Sequence, residues 1–262
     1  LLYPTVGLLA CWLATKGRYG IFAAGCTAIL LTLSHGSGPL LFPVIAVYLW
    51  LKTRKENGFK NLFIGWMLFS VVALWLYFVT FPLQGEAGYS SHNSMELLLV
   101  FFSQIPDVIK GFLAIVGSHL LINDMHYPWK NALAIFLGTI ELLWLCLLIA
   151  RGTLRDSPAL LLWLAFLLLA VASIAVGRVA YGGMDQALQG HYKLLNGLLL
   201  WFVAIATLQW VDTHYPVYRS AAAVASISIA TVLYISSLVL FLTPMQTFQQ
   251  ALLDDAIQWQ QS

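Results

Sequence analysis

The charges in this sequence are confined to short gaps between long apolar runs, and that pattern constrains the fold more than any other feature. Of its 262 residues only 9% are Asp, Glu, Lys or Arg, while 60% are hydrophobic. A chain of this size in water has to cover its exterior with polar side chains, whereas a chain dissolved in a bilayer does not. A helix of about 20 apolar residues spans the hydrocarbon layer. Asn61 to Pro82, Asn131 to Ala150, Pro158 to Gly177 and Ser220 to Leu242 have that length. A membrane barrel would need short segments of alternating polarity, so the continuous Leu, Ile, Phe and Trp of these runs predict helices.

Basic residues set the expected orientation. The densest basic stretch, Lys52 to Lys60, is assigned to the cytoplasm by the positive-inside rule. Counting back, Pro39 to Leu51 forms one arm of a hairpin, Ser34-His35-Gly36-Ser37-Gly38 its outer turn, and Tyr19 to Leu33 the other arm, returning to Lys16-Gly17-Arg18. Counting forward, Leu97 to Ile122 decides the rest, because Pro106, Asp107 and Lys110 fall in its middle, where unpaired charge is costly. If it dips in and returns, or lies at the interface, Arg151, Arg155 and Arg219 join the cytoplasmic set. Lys110, Lys130, Arg178 and Lys193 then lie outside.

The expected architecture is an all-α polytopic transmembrane bundle of about eight spans with one interrupted or interfacial segment. It forms one helical domain over 1–242, followed by an amphipathic helix over 243–262. In that tail Phe248, Leu252, Ala256 and Trp259 recur at helical spacing after Thr243-Pro244. Ala222, Ser226 and Ala230 form a small-residue ladder suited to a close helix contact. No signal peptide is read at Leu1-Leu2-Tyr3-Pro4, which lacks a basic stretch before its apolar run, and the sequence is expected to be part of a longer protein. Cys11, Cys26 and Cys146 lie in apolar runs without CxxC spacing and are expected to be buried free thiols.

Two places carry candidate chemistry. Glu141 is an ionisable residue near the centre of an apolar run, able either to hold a proton, a cation or a substrate hydroxyl, or to join two helices through a hydrogen bond. The segment from Arg178 to Lys193 gathers a guanidinium, Tyr181, Gly182-Gly183, Asp185, His191, Tyr192 and an ammonium. Arg grips phosphate in a bidentate fashion, Lys does so as a point charge, and both headgroup binding and substrate binding use such groups. His35, Asp107, Lys110, His119, Asp124 and His126 could converge with it, and a carboxylate beside a histidine can act as a general base. The Asp124-x-His126 spacing is too short a signal for a metal site. No phosphate loop, dinucleotide fingerprint, HExxH or GxSxG occurs, and no series of pore-lining charges is present. No metal, cofactor or nucleic-acid partner is expected.

Ser34 to Val44, SHGSGPLLFPV, resembles the Ser/Gly-rich turn before a proline-bearing helix in bacterial multispanning membrane proteins of envelope polysaccharide synthesis, the GT-C-like glycosyltransferases. Arg178, Tyr181-Gly182, Gln186-Ala187-Leu188 and Tyr192 are similar to a later outer loop of that class, with His191 where a second Arg is expected. The resemblance implies a bacterial inner-membrane enzyme. It would use a polyprenyl-phosphate-linked sugar at the outer face, with inversion at the sugar carbon. On that reading Arg178, Tyr181, Asp185, His191, Tyr192, Lys193 and His35 contact the substrate, and no catalytic residue is assigned. A transporter or flippase, and a non-catalytic subunit with partner membrane subunits, are the alternatives. Membrane lipids are partners on every reading.

Overall fold

The computed structural model describes residues 2–34, 36–80, 94–119, 129–179, 193–229, 231–232 and 235–236. Among them every regular element is helical: α1 (Leu2–Ala14), α2 (Arg18–Ser34), α3 (Leu41–Thr53), α4 (Lys60–Thr80), α5 (Ser94–Gly117), α6 (Lys130–Ala150), α7 (Pro158–Ile174) and α8 (Lys193–His214). A wide π-type turn, Ala175–Val179, extends α7, and 219–229 is helical again.

Helix ends fall where the backbone chemistry requires them. Gly152 follows α6 with φ +79°, a left-handed conformation in which a Cβ would be strained. Its amide donates to Ile149 O at 2.8 Å and that of Thr153 to Leu148 O at 3.2 Å, the paired closure of a Schellman motif. Pro158 then opens α7 at a position where its missing amide hydrogen costs nothing.

Four helices are long and apolar enough to span a membrane: Lys60–Tyr77, Lys130–Ala150, Pro158–Gly177 and Leu195–His214. The expectation of about eight spans is therefore reduced to four among the described residues. Of the N-terminal helices, α1 and α3 have 13 residues each and α2 has 17. At 1.5 Å per residue these reach about 20 to 26 Å, short of a hydrocarbon core of about 30 Å. The amphipathic tail, residues 243–262, lies outside the described residues.

Helix directions follow from the contacts. Trp163 Nε1 donates to Pro4 O at 3.0 Å, and Phe166 packs on Gly7, so α7 runs parallel to α1. Leu113 faces Gly138 and Gly117 faces Ala134, which makes α5 antiparallel to α6. Trp144 meets Thr207 and Arg151 stacks over Trp210, so α6 and α8 run together. The gap residues Arg18 and Gly58 are neighbours, which joins the two N-terminal basic loops at one end of the bundle.

These directions correct the expected sidedness. The end that carries Lys16, Arg18, Lys52, Arg54, Lys55 and Lys60 also holds the close of α7 and the starts of α6 and α8, hence Arg178, Lys130 and Lys193. Arg151, Arg155 and Arg219 sit at the opposite end. Nine of the thirteen basic residues share the first end, with Lys110 partway along α5. The reason for the reversal is α5, which passes unbroken through Pro106 and packs lengthwise on α6. Its charges meet each other: Lys110 Nζ donates to Asp107 Oδ1 at 3.0 Å, on an exposed face.

The core is built around α7, where Trp163, Phe166, Leu167 and Val171 are buried against α1, α3, α5 and α8. The exterior is itself apolar, with Leu68, Val71 and Trp75 on α4 and Phe136, Ile140 and Leu143 on α6 exposed. All three cysteines are free, and only Cys11 is buried. Cys26 and Cys146 face outward instead, because α2 and α6 turn those positions away from the bundle. In 219–229 the ladder residues Ala222 and Ser226 are half-buried, and Ala230 lies outside the described residues.

Candidate functional site

A buried polar cluster forms where the end of α5 meets the middle of α6 and the start of α8. Its precondition is the absence of two side chains. A Cβ on Gly117 would overlap Ala134 O and Gly138 N, and one on Gly138 would overlap Leu113 O and Gly117 N, so the two backbones cross in direct contact. Glu141 lies one turn beyond Gly138, and His119 two residues beyond Gly117. The close crossing brings them together although 22 positions separate them in sequence.

His119 Nε2 and Glu141 Oε2 share a hydrogen bond of 2.7 Å. The Glu141 side chain is 6% exposed and that of His119 14%, so the pair is shielded from its surroundings. An isolated carboxylate at this position, about 16 Å along α6 from Lys130, would carry a large desolvation cost, which the imidazole offsets. Neither partner is saturated. Glu141 Oε1 and His119 Nδ1 are buried without a hydrogen-bond partner among the described residues, leaving one polar atom on each side of the pair open to a ligand or a water.

A second link extends the cluster to α8. Asn196 Nδ2 donates to Ser118 Oγ at 2.9 Å, and Ser118 Oγ donates to Ile115 O at 3.1 Å. Asn196 is fully buried and its Oδ1 has no partner among the described residues. One face of α6 and α8 continues the contact toward the opposite end, where Trp144 Nε1 donates to Thr207 Oγ1 at 2.9 Å and the Trp144 and Trp210 rings meet edge to face. Among the described residues no three His, Cys, Asp or Glu side chains gather as a metal site would require.

The residues expected from sequence distribute unevenly over this geometry. Glu141 is in the cluster, and His119, one of the polar residues expected to converge, is its partner. Arg178 lies in the π-type turn after α7 and Lys193 is the first residue of α8. That turn packs on α5, and Asn196 stands one helical turn beyond Lys193, so both flanks of the segment approach the cluster's end of the bundle. Tyr181, Asp185, His191, Tyr192, His35, Asp124 and His126 lie outside the described residues. Asp107 and Lys110 pair with each other and do not join.

Ser118 and Asn196 were not anticipated. Asn196 had a legible signal, an amide inside the apolar run Leu194 to Leu208, which needs a buried partner. Ser118 gave none. No family model, no curated protein and no solved structure matches this chain.

Proposed function

We propose that this chain is an integral membrane protein whose working site is the His119–Glu141 pair together with the segment between α7 and α8, and that it acts on a polyprenyl-phosphate-linked sugar. The supporting observation is the 2.7 Å pair, buried, with an open polar atom on each partner. A carboxylate held by an imidazole suits removal of a proton from an acceptor hydroxyl. The acceptor oxygen bonds to the sugar carbon, the bond from that carbon to the phosphate oxygen breaks, and polyprenyl phosphate leaves with the electron pair. Arg178 and Lys193 supply charge for the phosphate, and Tyr181 or Tyr192 a face for the sugar ring. Asp185, His191 and His35 complete the substrate-contacting set. Such a donor belongs to a bacterial cytoplasmic membrane, and the basic residues favour the cytoplasmic side over the outer face for the site.

The test is transfer by purified protein in liposomes loaded with polyprenyl-phosphate sugar, read as released polyprenyl phosphate. Glu141→Gln should lower turnover by about 100-fold or more, the usual scale of general acid–base catalysis. Arg178→Ala should raise KM. Full turnover by Glu141→Gln would remove the pair from the chemistry.

A transporter or flippase is the second reading, favoured by the depth of Glu141 within a span of 21 residues. Solute uptake by proteoliposomes, abolished in Glu141→Gln with no transfer by the unmodified protein, separates the two. A subunit role is favoured by 219–229, where Val224, Ile227 and Ile229 are exposed. Copurification with a fixed partner membrane protein, and inactivity alone, would mark it.

A further inference from the structure

We propose that the cleft between α2 and α4 is a binding site for one anionic phospholipid, its phosphate at Arg18 and one acyl chain along the cleft. This site is independent of the reading given above for His119 and Glu141.

The cleft starts at the basic end. Arg18 and Asn61, the polar residues among its lining, stand at its mouth, and an apolar cavity of about 260 Å³ opens below them between Gly25, Cys26, Gly65 and Phe69. A second cavity of about 240 Å³ continues along the same two helices past Ile29 and Leu33 to Ala73 and Tyr77. Positions 22, 26, 29 and 33 of α2 and 62, 66, 69, 73 and 76 of α4 follow one helical face each, so the two cavities lie on one line. From Arg18 to Leu33 that line is about 22 Å long, more than the roughly 15 Å of hydrocarbon in one leaflet.

Shape and charge select the occupant. The walls are apolar, the Phe69 and Trp66 rings pack over Gly25, and Gly65 leaves open space on α4 for a chain instead of a side chain. The guanidinium of Arg18 reaches over Gly58, is exposed, and has no ion pair among the described residues. Among its basic neighbours Lys16 lies over Trp12, Lys52 over Phe59 and Arg54 over Trp50, and neither Lys55 nor Lys60 lines the cavity. Arg18 is therefore the cation offered at the mouth, and an unpaired guanidinium there matches a phosphate diester. A zwitterionic lipid would bring its own cation and gain less.

The experiment reconstitutes the full chain in phosphatidylcholine nanodiscs carrying a phosphatidylglycerol analogue with a photoreactive acyl chain, and maps the label by mass spectrometry. Label is expected on α2 and α4, competed by unlabelled phosphatidylglycerol and not by added phosphatidylcholine. Arg18→Gln should reduce it about fivefold, the effect of one basic side chain on anionic-lipid binding. Gly65→Leu is the second variant. A Cβ at Gly65 meets nothing within 4 Å, so leucine fills the cleft without disturbing the helix, and label should disappear while the melting temperature holds. Equal labelling by a phosphatidylcholine analogue, label elsewhere on the chain, undiminished label in Gly65→Leu, or α2–α4 crosslinks to a second copy in place of lipid would each overturn the assignment.

Discussion

Gly117 and Gly138 touch backbone to backbone, at the crossing of α5 and α6 beside which the His119–Glu141 pair forms. Because neither residue has a side chain, α5 and α6 approach closely enough for His119 to reach Glu141 at 2.7 Å. Replacing Gly138 by Ala should therefore destabilise the fold by about 2 kcal/mol or more, since overpacking against rigid backbone has no flexible side chain to absorb it. The control is Gly65→Ala, where the new methyl group meets open space and should be neutral or stabilising by up to about 1 kcal/mol. Thermal melts in detergent distinguish the two.

Removing either member of the His119–Glu141 pair leaves the other buried and unpaired. In a double-mutant cycle with His119→Ala and Glu141→Gln the coupling energy should be about 1 to 2 kcal/mol, near the upper range for polar pairs between membrane helices. A coupling indistinguishable from zero would show that the 2.7 Å contact contributes nothing to the fold.

Asn196→Leu should cost about 1 kcal/mol and loosen the start of α8, because Ser118 Oγ loses its donor across the interface. Asn196→Asp is the informative companion. It leaves an acceptor opposite Ser118 but adds a buried charge, so it should be the more damaging of the two, by unfolding midpoint in the same detergent.

Part of this arrangement was legible in the sequence and part was not. The apolar runs gave rise to α4, α6 and α7 near the expected limits, because length and hydropathy alone demand helix in a bilayer. Glu141 stood out for the same reason, as a lone carboxyl in an apolar run. His119 stood among the polar residues expected to converge, but its pairing with Glu141 was not legible, because the link runs through two glycines whose meaning appears only when two helices cross. The order of the ends turns on α5, where Pro106, Asp107 and Lys110 suggest a segment that dips in and returns because unpaired charge is costly in hydrocarbon. Asp107 and Lys110 pair at 3.0 Å on an exposed face, and Pro106 sits within a continuous helix. Changing that single helix from an interrupted segment to one lying along α6 reverses every later element.

The direction of α5 thus fixes which end of the bundle holds the working site, and cysteine labelling measures it directly. Single cysteines at Lys55, Arg155 and Lys193 in a cysteine-free chain, reconstituted in sealed vesicles, are treated with a membrane-impermeant maleimide. The structure requires Lys55→Cys and Lys193→Cys to label from one side and Arg155→Cys from the other. Labelling of Lys55→Cys and Arg155→Cys from the same side, with Lys193→Cys opposite, would contradict it and return the segment after α7 to the outer face.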